Sequence, residues 1–166
     1  GAQHVERLRR GDAEAGRVLA FDMGGTTAKL SLVDGGEPLT AYSFEAARQR
    51  RFIEGSGLPI RISTIELIEI GAGGGSIASV DEIGLLKVGP RSAGSLPGPA
   101  AYGLGGTEPT VTDADLLLGY LDPGYFLGGR LPLHPHLAEE ALRERIAGPL
   151  GLDLPAAAWA VHQVVN

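Results

Sequence analysis

Glycine occupies 26 of the 166 positions, about 16 % where roughly 7 % is usual, and any fold must account for that excess. Inside a helix or strand a glycine costs about 0.5–1 kcal/mol relative to alanine, so this many belong in loops built from backbone. No Gly-X-Y period is present, which excludes a collagen helix. Disorder is excluded too, because 43 % of the residues are hydrophobic and occur in runs long enough for strands. Eleven of the 26 glycines lie between Gly71 and Gly106, and two more form Gly24–Gly25.

Composition removes several function classes. Cysteine is absent, so disulfides, thiol nucleophiles and cysteine-ligated metal centres are impossible. Fourteen basic against 20 acidic residues leave a net charge of −6, which argues against a nucleic-acid partner. The basic runs Arg7, Arg9, Arg10 and Arg48, Arg50, Arg51 stand beside acids and read as solvated helix faces. No run of 18 apolar residues and no signal-peptide core occurs, so we expect no membrane partner and a cytoplasmic location. The chain opens at Gly1, its one methionine is Met23, and the last helical pattern still runs at Asn166. These features suggest an internal piece of a longer polypeptide.

Along the chain, residues 17–21 read as a buried strand running into Asp22–Met23–Gly24–Gly25–Thr26–Thr27. A second strand, 29–33, ends at the hairpin signal Asp34–Gly35–Gly36, and a third follows over 38–44. Residues 1–15 read as a short helix interrupted by Gly11, and 48–57 as a polar turn. The alternation in 60–70 slips phase, which predicts two strand segments joined by a bend or bulge. A hairpin follows, 77–80 with 85–88. Residues 89–109 are irregular, and irregular stretches of this length are usually functional or flexible. Thr112, with Asp115 three residues on, reads as the N-cap of a short helix ending at Gly119. A helix over 136–146 and a last one opening at Pro155 complete an α/β chain, strand-rich over 17–109 and helical over 110–166.

Phe21 to Lys29, FDMGGTTAK, carries the strongest chemical signal. Gly24 and Gly25 let backbone N–H groups approach an anion, and Thr26 and Thr27 add hydroxyl donors. A carboxylate such as Asp22 repels phosphate unless a cation stands between them, so the pattern points to Mg²⁺ and nucleotide. The plainer alternative is a hairpin turn with Asp22 as a local cap. Neither a Walker A pattern nor GxGxxG is present. Gly73, Gly74, Gly75 and Ser76 make a second anion nest or a close-approach loop, with Glu69 a possible second acid beside it. Arg91 is either an anion clamp or half of a surface ion pair. Asp113 is a site candidate or a first-turn acid at a helix dipole. His134 and His136 lack further ligands at metal spacing, His162 and Trp159 read as core or interface, and no Ser–His–Asp set or G-x-S-x-G elbow is found.

FDMGGTTAKLSL, IELIEIGAGGGSIASVD, VGPRSAGSLPGPAAYGLGGTEPTVTDADLLLGYLDP and YFLGG, in that order, resemble the hydantoinase A/5-oxoprolinase family. The likeness is strongest to its N-methylhydantoinase and acetone- or acetophenone-carboxylase branches. It runs from about residue 17 to 131 and more weakly through the last helices. The resemblance implies a partial domain of an actin-like ATPase (sugar kinase/Hsp70-like), with a mixed sheet and C-terminal helices. It implies ATP and Mg²⁺ as cofactors, Asp22 as the metal residue and, with Asp113, as catalytic. Gly24, Gly25, Thr26 and Thr27 match the second phosphate loop, while Gly71 to Ser76 and Thr112–Asp113 match motifs of unassigned role. ATP would phosphorylate a carbonyl or enolate oxygen, for hydrolysis of a cyclic amide or, as the alternative, carboxylation of a ketone. A non-catalytic nucleotide-binding module is a third possibility. Ala28–Lys29 replace the Thr-Asp of oxoprolinase-like members, which favours the first two substrate classes over 5-oxoproline. The expected partners are a small-molecule substrate, a missing N-terminal lobe with the first phosphate loop, and a second subunit of hydantoinase B type. The 166 residues alone are expected to be inactive.

Overall fold

The computed structural model describes residues 16–46, 55 and 57–166. The expected helix in 1–15, both basic runs and nearly all of the polar turn at 48–57 lie outside them. The chain divides into two compact units, one of Gly1–Asp22 with Lys29–Glu69, the other of Met23–Ala28 with Ile70–Asn166. Strands give way to helices at 109/110, inside the second unit, and backbone hydrogen bonds join the loop 23–28 to residues 74 and 75.

The first unit is built from short strands. β1 (Val18–Met23) and β2 (Ala28–Asp34) flank the glycine turn, and β2 pairs antiparallel with β3 (Glu37–Pro38), Val33 opposite Pro38 across Gly35–Gly36. Arg17 and Asp34 are joined at 3.1 Å. The expected strand over 38–44 is broken into β3, β4 (Thr40–Ala41) and the start of β5 (Phe44–Ala46), because each part takes a different partner. β4 pairs with β7 (Thr64–Ile65) and β5 with β6 (Leu58–Ile60), both antiparallel. Over 60–70 the chain forms the end of β6, then β7 and β8 (Ile68–Ile70), three short strands where two were expected, and β8 adds to the sheet through β2. Among the described residues there is thus one four-stranded sheet with three two-stranded ladders, rather than one continuous sheet.

The second unit holds the core. β9 (Ser76–Val80) and β10 (Leu86–Ser92) form the expected hairpin, Leu86 opposite Val80 and Val88 opposite Ala78, and the ladder runs past Gly89–Pro90 to pair Ser92 with Ser76. Helices α1 (Val111–Leu117), α2 (Pro135–Leu142), α3 (Gly148–Leu150) and α4 (Leu154–Val165) follow. Between α2 and α3 the backbone widens to a π-helical turn over Arg143–Ala147, the i→i+5 pattern. Leu142, Ile146, Val111, Val161 and small alanines make one cluster, with Val80, Leu86 and Val88 of the hairpin packed on it. Ala101, Leu116, Leu133 and Ala138 make a second, with Tyr102 and Phe126 against it. Asp153 caps α4 by accepting from the Ala156 N–H at 2.8 Å, and Pro155 occupies the first turn, where its missing N–H loses nothing. No helix among the described residues is long and apolar enough to cross a membrane.

Candidate functional site

The second unit brings two glycine loops together, fifty residues apart in sequence. The Gly24 N–H donates to the Thr27 carbonyl at 2.9 Å and closes the first loop into a turn. The Gly74 and Gly75 N–H groups then donate to the carbonyls of Gly24 and Gly25, at 2.9 and 2.6 Å. A Cβ on Gly73 would lie 2.6 Å from the Gly24 oxygen and 2.7 Å from both the Gly25 carbonyl carbon and the Thr26 nitrogen. Only glycine fits such a backbone-to-backbone approach. Around it, Ser76 donates its N–H to the Gly73 carbonyl at 2.9 Å and accepts the Gly73 N–H on Oγ at 2.9 Å, while Ala93 donates to the Gly75 carbonyl at 2.8 Å.

This contact fixes which way the first loop faces. In a planar trans peptide the C=O of one residue and the N–H of the next point in opposite directions. The Gly24 and Gly25 carbonyls are turned toward residues 74 and 75, so the N–H groups of Gly25 and Thr26 are turned away, side by side. Both residues are exposed. Among the described residues neither N–H, nor the hydroxyl of Thr26 or Thr27, has a hydrogen-bond partner. Two adjacent outward N–H groups with two hydroxyls nearby are the kind of donor set from which backbone anion nests are made.

The other sequence candidates fall in different places. Asp22 is exposed at the end of the first unit, directly before the loop. Ser76 is buried and Gly73, Gly74 and Gly75 are backing rather than donors to a ligand, because their N–H groups are already used. Arg91 is half of the ion pair weighed as its alternative: Nη2 donates to both Glu108 carboxylate oxygens, at 3.1 and 2.8 Å. Glu69 stands 3.6 Å from Lys29 Nζ. His134 and His136 meet edge-on with ring centres 5.8 Å apart, and among the described residues no three acids or histidines gather as a metal site.

Asp113 is a structural strut, a correction to its expected catalytic part. It is fully buried. Its Oδ2 accepts from the Thr110 N–H and hydroxyl, each at 2.8 Å, and from the Ala100 N–H at 3.3 Å, and its Oδ1 accepts from the Ala101 N–H at 2.7 Å. Burial pushes this carboxyl up from its ordinary value, against the pull of those donors. The helix cap also moves by two residues. TVTDAD contains T-x-x-D twice, and it is Thr110 with Asp113 that forms the reciprocal capping box. Thr110 is extended and bridged to Ile77, as an N-cap requires, whereas Asp115 is drawn to His162 Nδ1 at 2.8 Å. Sequence reasoning missed that pair, the stacking of His162 with Tyr120 and with Trp159, and the role of Thr112. Thr112 directs both its N–H and its hydroxyl at the Gly74 carbonyl, at 2.8 and 2.9 Å. The T-x-x-D repeat was the available signal.

The sequence profile of the hydantoinase/oxoprolinase family matches residues 2–166. The chain belongs to this family. It is 45 % identical over 150 residues to the acetophenone carboxylase gamma subunit of Aromatoleum aromaticum, covering 90 % of this chain and 19 % of that one. It is 45 % identical over 149 residues to the caprolactamase subunit alpha of Pseudomonas jessenii, covering 90 % and 20 %. The crystal structure of the ATP-dependent caprolactamase from that organism superposes with a TM-score of 0.75 at 40 % identity, over 99 % of this chain and 22 % of that one. A nucleotide-free acetone carboxylase superposes at 0.78 with 29 % identity, over 96 % and 21 %. The chain therefore spans about a fifth of the length of these relatives. The α/β fold and the family's amidohydrolase and carboxylase relatives agree with the sequence reading.

Proposed function

We propose that this chain carries the second phosphate loop of an ATP-dependent hydantoinase-type amidohydrolase built on an actin-like ATPase. The observation that carries the reading is the paired outward N–H groups of Gly25 and Thr26, held by the two-loop contact. In this reading those N–H groups and the hydroxyls of Thr26 and Thr27 donate to phosphate oxygens. Asp22, exposed and one carboxylate strong, suits Mg²⁺, which usually takes one or two protein carboxylates and completes its shell with phosphate and water. When bound, Mg²⁺ would neutralise charge on the transferring phosphoryl group. A cyclic-amide carbonyl oxygen would receive that group as ADP departs. Water would add at the amide carbon, the ring C–N bond would break with its nitrogen protonated, and a second water would hydrolyse the resulting acyl phosphate to carboxylate and inorganic phosphate.

The remaining donors would come from a first phosphate loop on the N-terminal lobe, and a hydantoinase B-type subunit would complete the assembly. The caprolactamase likeness supports amide chemistry. The equal identity to an acetophenone carboxylase subunit supports a second reading, in which an enolate oxygen of a ketone is activated for carboxylation. The deciding experiment measures ATP hydrolysis by the whole protein with its partner subunit, against hydantoins and lactams, and against acetone and acetophenone with bicarbonate. Stimulation by cyclic amides supports the first reading and stimulation by ketones the second. Hydrolysis unmoved by every member of the panel refutes both.

A further inference from the structure

We infer that Thr112 is a positioning residue for the phosphate-binding N–H of Thr26, acting through a hydrogen-bonded relay of two peptide groups; the inference rests on the phosphate-loop reading above. The Thr112 hydroxyl donates to the Gly74 carbonyl at 2.9 Å, beside its own N–H at 2.8 Å. That carbonyl shares a peptide with the Gly75 N–H, which donates to the Gly25 carbonyl at 2.6 Å. The Gly25 carbonyl shares a peptide with the Thr26 N–H, which points outward. A parallel relay runs from the Ser76 N–H through the Gly73–Gly74 peptide to the Gly24 carbonyl and emerges at the Gly25 N–H. Hydrogen bonds in series polarise one another, so each relay orients its terminal N–H and strengthens it as a donor.

The two relays differ in what heads them. The Ser76 relay begins at a backbone N–H alone, whereas the Thr112 relay begins at a backbone N–H joined by a hydroxyl that substitution can remove. Thr112 is itself held in place: it sits in the first turn of α1, between the capping pair Thr110 and Asp113. It is nearly buried, so water does not readily replace the lost donor. A Cβ on Gly74 would stand 2.8 Å from its Oγ1, so the glycine leaves room for this contact.

The test compares wild type, Thr112→Val and Thr112→Ser in the whole protein, using amide resonances of Gly25 and Thr26 together with affinity for Mg-ATP and for adenosine. The lost bond exists with and without ATP, so only the polarisation it passes on reaches the nucleotide, roughly 10–30 % of a charge-assisted bond, which predicts about 1.3- to 4-fold weaker ATP binding in Thr112→Val. Adenosine affinity should be unchanged and the serine variant should restore ATP binding. Without ligand, the Thr26 amide resonance should move upfield while that of Gly25 stays, because only the Thr112 relay loses a donor. A Thr26 amide and ATP affinity both unchanged in Thr112→Val, or Gly25 and Thr26 amides that move together with weaker binding of both ligands, would overturn the inference. If wild type binds Mg-ATP without perturbing either amide, the phosphate reading itself fails; a selective Thr26 shift in Thr112→Val would still establish the relay.

Discussion

Gly73→Ala tests the two-loop contact most sharply. The added Cβ would meet three backbone atoms of residues 24–26 at 2.6–2.7 Å, and no side-chain rotation relieves a clash with backbone. The loops have two responses. They stay together and bear strain of about 1–3 kcal/mol, or they part and lose two backbone bonds worth about 0.5–1.5 kcal/mol each. Either way the loss is about 1–3 kcal/mol. Alanine also narrows the unfolded ensemble, which offsets about 0.4–1 kcal/mol, so the net expectation is roughly 1–2 kcal/mol. Gly25→Ala is the control, because its Cβ meets nothing within 4 Å. Native-state hydrogen exchange of the Gly74 and Gly75 amides reads the local opening directly. Gly73→Ala should exchange about 5- to 30-fold faster than wild type, by the tenfold-per-1.4 kcal/mol conversion. Gly25→Ala should exchange at the wild-type rate. Rates for Gly73→Ala within twofold of wild type would refute the close-approach argument.

Three further outcomes are expected. Asp22→Asn in the whole enzyme should abolish Mg²⁺-dependent turnover without shifting the thermal melt, since Asp22 is exposed; turnover at the wild-type level makes it a turn residue. Burial raises the Asp113 carboxyl above 3.8, so the native state holds its proton more tightly than the unfolded chain. Its contribution to stability is then complete below the unfolded value and declines as pH rises through the folded one, and a carbon-13 carboxyl titration at or below 3.8 contradicts this. The Lys87 ammonium, 2.7 Å away, holds the Asp81 carboxyl below its usual range, with the Leu85 and Ile83 N–H groups assisting. That contribution is present above the unfolded value and lost as pH falls through the folded one, so Lys87→Met should move the Asp81 titration upward, and an unmoved titration excludes the pairing.

Much of the second unit was legible in the sequence because its signals are local. Pro135 and Pro155 mark helix starts, and the alternation either side of residues 81–84 marks a hairpin. Reading Gly89–Pro90 as a stop hid the continuation of β10 to Ser92, since the ladder passes the proline with a shift in register. The short strands of the first unit were hidden for a related reason: in 38–46 each apolar residue fits a strand, but partners from 58–65 divide the segment into two ladders. The excess glycine was correctly assigned to backbone-built loops, yet its most specific use was out of reach. Contacts between residues 24–25 and 73–75 are made by backbone alone, so no side chain announces the pairing; all the sequence displays is that nothing larger than hydrogen is present. Asp113 misled because an acid in a first turn looks the same from sequence whether it faces a ligand or closes a cap.

In the proposed function Gly25 and Thr26 present adjacent N–H donors to phosphate. A crystal structure of the whole protein with Mg²⁺ and a non-hydrolysable ATP analogue measures this directly. Phosphate oxygens should lie within about 2.7–3.2 Å of both nitrogens, with the Gly24 and Gly25 carbonyls still bonded to residues 74 and 75. Phosphates seated elsewhere, with these two N–H groups left facing solvent, would contradict it.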